Sequence, residues 1–204
     1  QAGDVDAILV HSKVAEEAFV AAGYGVHRRA IMYNDFIIVG PSADPARVGA
    51  AETVIDAFQR IAVNQSTFIS RGDDSGTHKK ELSLWAEAGV DPVVDSGTWY
   101  RETGSGMGAT LNTAVAMGAY VLSDRATWAS FGNKGELRIV LEGDPRLFNP
   151  YGVILVNPER FPHVRASLGQ AFIDWLVSTR GQALIAAYAI DGAPVFFPDA
   201  MVDH

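Results

Sequence analysis

The chain contains no cysteine, so neither a disulfide framework nor a thiolate metal site is available to it. It has only five histidines, and no two of them fall three or four positions apart, so the common zinc spacings are missing too. No metal cation is expected as a ligand, and no cofactor is implied. Long hydrophobic runs are also lacking. Runs such as those at residues 36–39 and 153–156 are far short of the ~20 apolar residues that cross a bilayer, so a soluble chain without membrane insertion is expected. Basic residues are in deficit, 16 Lys and Arg against 24 Asp and Glu for a net charge of -8. That balance argues against nucleic acid and anionic membrane surfaces, which are bound chiefly through clustered Lys and Arg. No basic segment followed by an apolar one opens the sequence, so no signal peptide is read in it.

What is present is ample apolar material, 48% of 204 residues, enough for a buried core in one large domain or two small ones. Short Val- and Ile-rich runs alternate with helical patterns, the signature of an α/β protein with a largely parallel sheet. Strands are predicted at 7–10, 36–39, 67–70, 120–122, 137–141 and 153–156. Helices are predicted at 12–22 with Ser12 as N-cap and Gly23 as stop, at 50–61, at 107–117, at 162–177 and at 180–188. In the fourth of these, Val164, Leu168, Phe172 and Trp175 form the apolar stripe.

Residues 33–41 and 149–158 resemble each other: a polar lead-in, a four-residue apolar strand and a proline stop. They are either two ordinary sheet strands or the paired crossovers of a two-lobed protein. The second reading divides the chain into lobe I, residues 1–36 plus 149–204, and an inserted lobe II, residues 37–148, with a ligand cleft at the hinge. The chain opens almost directly on a strand, which suggests that an N-terminal segment belonging to lobe I is missing.

The chemistry concentrates at residues 70–77, Ser-Arg-Gly-Asp-Asp-Ser-Gly-Thr, running into a helix that Gly89 closes. A helix starting near Asp74 or Ser75 leaves early N–H groups, those of Gly76 and Thr77 among them, without intrahelical partners at the positive end of its dipole. An anion satisfies both. Ser75 and Thr77 add hydroxyls, Gly72 and Gly76 admit a close backbone approach, and Arg71 presents a planar fork of donors. The plainer alternative is that Asp74 and Ser75 only cap the helix while Arg71 pairs with Asp73.

A second glycine-rich turn, residues 104–112, supplies Ser105 and the amides of Gly106, Met107 and Gly108. Two such helix starts facing each other across a cleft would enclose one small anion. The same residues also fit G-x-G-x-x-A through Gly104, Gly106 and Ala109, a dinucleotide fingerprint, but the preceding residues 98–103 are too polar for its buried strand. A third stretch, residues 120–127, places Ser123 or Asp124 as a cap and Arg125 as either a supporting salt bridge or a second charge. His11 follows a strand end, where α/β ligand sites commonly lie. No nucleophile–base grouping, Walker loop or paired carboxylate stands in a catalytic context, so no enzyme is expected.

With these residues in view, the chain resembles the tungstate-binding component of bacterial ABC importers, a branch of the type II periplasmic binding proteins. The motifs are residues 32–41, 70–81 (through Thr77-His-Lys-Lys-Glu81), 104–111 (Gly-Ser-Gly-Met-Gly-Ala-Thr-Leu), 122–125, 142–150 and 171–176, six in order over nearly the whole chain. The resemblance implies two α/β lobes joined by two crossovers, with a tetrahedral oxyanion held between them and presented to a membrane permease. It further implies an extracytoplasmic or periplasmic location and a monomer. Carried over position by position, Arg71, Ser75, Thr77 and the Ser105–Gly108 amides would touch the anion, with Asp73 and Asp74 orienting Arg71 or capping. The chain departs from the family at its front, where a Thr/Ser-rich strand and the helix after it are absent. Tungstate and molybdate, dianions that want donors only, lead over phosphate or sulfate. An enzyme or a sensor domain that binds a phosphate-bearing small molecule remains the alternative.

Overall fold

The computed structural model describes residues 3–190 and 192–200. Its elements are β1 (Ala7–Val10), α1 (Lys13–Ala21), β2 (Gly25–Pro41), α2 (Val54–Val63), β3 (Phe68–Ser70), α3 (Gly76–Glu87) and β4 (Tyr100–Glu102). They continue with α4 (Met107–Met117), β5 (Val121–Asp124), α5 (Arg125–Ser130), β6 (Leu137–Leu141), β7 (Phe148–Val156), α6 (Ala166–Val177) and α7 (Thr179–Ala187). Three two-residue strands close the fold, β8 (Ala189–Ile190), β9 (Ala193–Pro194) and β10 (Phe197–Pro198). Contacts divide the chain into two compact units, one built from the residues before Asp35 together with those from Asn149 onward, the other Asp35–Phe148.

In the inserted unit the strands run β4–β3–β5–β2–β6. β3 and β4 are parallel. β5 joins β3 through the parallel bridge Phe68–Tyr120, with Ile69 N–H on Tyr120 O at 2.8 Å. The second half of β2 then pairs antiparallel with both β5 and β6. The expected largely parallel sheet is therefore mixed. β3, β4, β5 and β6 share one direction, and β2 runs against them because it arrives from the other unit as a single 17-residue strand. Its apolar pattern is broken by Arg28, Arg29, Asn34 and Asp35, so only residues 36–39 read as a strand by hydrophobicity.

Both faces of this sheet are covered, and the side-chain alternation shows it. Phe36, Ile38, Phe68 and Leu122 join Phe58 of α2 and Leu84 and Trp85 of α3 in one core. Ile37, Val39, Ile69 and Val121 join Met107, Leu111 and Trp128 in the other. Phe58 is fully buried, its ring edge-on to Trp85 at 4.3 Å between centroids. Truncating such an aromatic costs about 3–5 kcal/mol.

In the other unit β1 and β7 are antiparallel, with Ala7 opposite Leu155, and the first half of β2 pairs with β10, Tyr33 opposite Phe197. Ile31, Val153 and Leu155 pack against Ile173 and Leu176 of α6. This corrects the stripe expected on that helix, since Leu168, Phe172 and Trp175 are 59%, 47% and 45% exposed. Both faces of α6 are apolar, so periodicity alone selects neither. Glycine at 169 lets the opposite face come down on the sheet: a Cβ there would lie 2.7 Å from Leu155 and 3.0 Å from Asp6 O.

Two helix starts also differ from expectation. Ser12 precedes α1, but its side chain caps nothing; Glu16 instead reaches back to Ser12 N–H at 2.6 Å. α2 begins at Val54 behind a Thr53 cap, after a separate single turn at Val48–Ala50.

Candidate functional site

The two glycine-rich turns meet on one edge of the inserted unit. Parallel pairing of β3 with β4 brings Ser70 opposite Glu102, so both chains leave the sheet side by side. Ser105 N–H then donates to Arg71 O at 3.2 Å and Thr103 N–H to Ser70 O at 3.0 Å. Two hydroxyls missed by the sequence reading lace the turns together. Thr103 Oγ1 donates to Ser70 O and Arg71 O at 3.2 and 3.3 Å, and it lies 2.9 Å from Thr110 Oγ1. Thr110, fully buried, reaches Ser105 O and Gly106 O. A Thr one turn inside a glycine-led helix was the available signal. The expectation of two helix starts facing each other across a cleft is thereby corrected: they are neighbours on one sheet, because their strands are.

The first turn is held in an unusual backbone. Gly72 lies at φ +60 and Asp74 at φ +59, both left-handed. Side-chain atoms are also excluded at Gly72, where a Cβ would sit 2.7 Å from Glu102 Cβ; this position requires glycine. Asp74 tolerates the conformation as Asp can, and its N–H donates to His78 Nδ1 at 3.1 Å.

Ser75 is the N-cap of α3, its Oγ accepting from His78 N–H at 3.3 Å. Arg71 Nε and Nη2 both reach Asp73 Oδ2, while Asp73 Oδ1 accepts from Ser75 N–H at 3.2 Å. The cap and the ion pair of the plainer alternative are thus both present. Partial burial pushes the Asp73 carboxyl up, but hydrogen bonds from Ser75 and Arg71 and the Arg71 charge outweigh it and hold the group at about 2. Asp73 is consequently ionised and committed, and it fixes Arg71 without using Nη1.

The cap leaves donors over. Among the described residues none accepts from the N–H groups of Gly76 and Thr77 at the start of α3, or of Gly106, Met107 and Gly108 at the start of α4. α4 has no side-chain cap at all. A Cβ added at Gly104, Gly106 or Gly108 would meet nothing within 4 Å, so no packed neighbour crowds the side-chain positions of this turn. Thr77 is buried beneath the first turn. The Ser105 hydroxyl donates to Thr103 O at 3.2 Å, which leaves it as an acceptor.

The remaining candidates are already engaged with other groups. Ser123 is fully buried on β5 and donates to Asp124 O, while Asp124 is the cap of α5. Arg125 is neutralised by Asp35, through two 2.6 Å bonds, and by Glu142 at 2.6 Å. These hydrogen bonds raise its already high pKa further, so it is a structural pair rather than a spare charge. His11 belongs to the other unit, exposed, with Nδ1 3.2 Å from Asn149 Oδ1. As for the dinucleotide fingerprint, β4–α4–β5 does form a strand–turn–helix–strand passage, but β3 lies between its two strands.

The edge thus brings unpartnered amides from two helix starts onto neighbouring turns, one of which carries Arg71, and helix starts of this kind are where anions are commonly bound. Residues 1–180 match the family model described as a PBP superfamily domain. The tungstate-binding protein TupA of Peptoclostridium acidaminophilum is 46% identical over 97% of this chain and 70% of its own length. The chain belongs to the TupA family of the PBP superfamily. TupA from Desulfovibrio alaskensis superposes with a TM-score of 0.87 at 44% identity, covering 97% of this chain and 80% of that one. A Haloferax volcanii protein, whose name proposes an anion-binding role in an ABC transporter, is 49% identical over 99% of this chain. The chain spans 60% of that relative's length. TupA relatives are solute-binding proteins, a non-enzymatic class. Among the described residues no helix is long and apolar enough to cross a membrane.

Proposed function

We propose that this chain binds a small tetrahedral oxyanion, tungstate first and molybdate next, without reacting on it, and hands it to the permease of an ABC importer outside the cytoplasm. The supporting observation is that the turn carrying Arg71, with the free amides of Gly76 and Thr77, and the turn carrying those of Gly106, Met107 and Gly108 are joined side by side through Ser105 N–H and Arg71 O. Arg71, Ser75, Thr77 and the amides from Gly106 to Gly108 are the anion's partners in this reading, and Ser105 holds the turn through its backbone. With a net charge of -8 the protein as a whole repels anions, so affinity has to come from such local donors.

The site offers donors, and the Asp73 carboxylate beside them is already bonded to Arg71 and Ser75. That suits an unprotonated dianion. Hydrogen phosphate carries a proton and needs an acceptor for it. The names of the TupA relatives point the same way. Calorimetric titration with tungstate, molybdate, sulfate and phosphate tests the reading: tungstate and molybdate are expected to bind more tightly than the other two. Tungstate binding no tighter than phosphate refutes it. A thermal transition that NAD or ATP shifts and simple oxyanions do not would favour an enzyme instead.

A further inference from the structure

Directly behind the anion-binding edge lies a carboxyl that the reading above does not use. Glu81, on the inward face of α3, is 2% exposed. Its Oε1 accepts from Tyr100 Oη at 2.8 Å and from Trp85 Nε1 at 3.3 Å. Tyr100 and Ser70 are themselves fully buried. The Ser70 hydroxyl favours the ionised form of this carboxyl, and its Oγ accepts from Gly72 N–H at 3.2 Å. Ser70 thus links the surroundings of Glu81 to the backbone of the Arg71–Gly72 turn.

Among the described residues the surroundings of Glu81 offer donors, and no cation is among the groups that shift it. β3 presents Ser70, β4 presents Tyr100 and the carboxylate of Glu102, and α3 itself presents Trp85. On the α2 side Phe58 packs against Trp85. Burial above all, with the Glu102 charge adding, pushes the Glu81 carboxyl up against the pull of its three donors, to about 7. A charge that appears there lies in a dry interior, where it acts over a longer reach than in water.

We propose that Glu81 is a positioning residue that sets oxyanion affinity by its protonation state: the neutral acid leaves the turn's donors at full strength, and the ionised carboxylate places a negative charge behind them. The proposal rests on the oxyanion-binding function proposed above. By linkage, a bound dianion favours the protonated acid, so binding near neutral pH takes up protons.

Tungstate alone is the probe, because it stays unprotonated at neutral pH and any dependence there comes from the protein. Calorimetry on the full chain between about pH 6 and about pH 8 is expected to show affinity falling by about tenfold. Repeating it near neutrality in buffers of different ionisation enthalpy is expected to show net proton uptake. In Glu81→Gln the slope and the uptake both vanish, and affinity stays at the wild-type low-pH level. Should Glu81→Gln fail to fold, Tyr100→Phe decides: it removes a donor to the carboxylate and moves the midpoint to higher pH. His78, which accepts from Asp74 N–H at the same turn, is the control, and His78→Gln is expected to keep the slope. A pH-independent wild type, a slope that survives Glu81→Gln, or one that disappears in His78→Gln overturns the proposal while leaving oxyanion binding intact. Absence of tungstate binding at every pH overturns both.

Discussion

Replacing two arginines of the inserted unit, Arg71 and Arg125, one at a time separates binding from support. Arg71 stands beside the free amides, 19% exposed at its side chain, and is held by Asp73. Arg71→Ala removes a charge-assisted hydrogen bond to the anion, worth about 1.5–3 kcal/mol, which is about tenfold to more than a hundredfold in affinity. It also frees the Asp73 carboxylate to repel the ligand, so the upper end of that range is expected. Stability should change little, since Asp73 keeps its bond to Ser75 N–H. Arg125→Ala has the opposite signature. Asp35, 21% exposed at its side chain, loses both of its 2.6 Å partners, and a partly buried carboxylate left unpaired costs about 1–3 kcal/mol of stability. Affinity should stay within about twofold, because Arg125 is already neutralised by two acids. Tungstate calorimetry and thermal unfolding, run on both variants, give the four numbers needed. Equal losses of affinity, or a larger loss from Arg125→Ala, would place the anion elsewhere and refute the assignment of the edge.

Two further outcomes follow from the same geometry. The Glu81 carboxyl ionises at 4.5 when solvated and at about 7 in the fold, so the folded state holds its proton more tightly. Its contribution to stability is complete below 4.5 and is lost as pH rises through about 7, a change on the order of 3 kcal/mol. Glu81→Gln should therefore gain unfolding temperature relative to wild type as pH is raised across that window, measured without ligand; a constant offset would contradict it. Gly72→Ala forces a side chain into a left-handed backbone and against Glu102, costing about 1–3 kcal/mol. Shifting the turn should also weaken tungstate binding, so an alanine variant with wild-type stability and affinity would show that the turn is not held as described.

Much of the fold was legible because both faces of the inserted sheet are buried. Runs such as residues 36–39 then read as continuous apolar strands, and the helix starts carry their own punctuation, Ser75 before α3 and Gly106 before α4. Where the reading failed, the missing information was tertiary. Strand direction depends on where a chain comes from, so β2 was legible as a strand but not as the one that runs against its neighbours. On α6 two apolar faces competed, and the close approach at Gly169 decided between them. Thr103 and Thr110 went unnoticed because a hydroxyl that ties two turns together looks, in sequence, like any threonine.

The sequence by itself determined the chemistry of the edge: an arginine, glycines where the backbone must turn left-handed, and two helix starts with amides to spare. Local rules fix these features, since caps, turns and helix dipoles act within a few residues. Only the tertiary structure decided that the two turns lie side by side rather than opposed, that Arg125 is already paired, and that an uncompensated carboxyl stands behind the site. Each of those depends on contacts between residues distant in the chain. Ser105 reaches Arg71, Arg125 reaches Asp35, and Tyr100 reaches Glu81, and no local pattern encodes which partners packing will bring together.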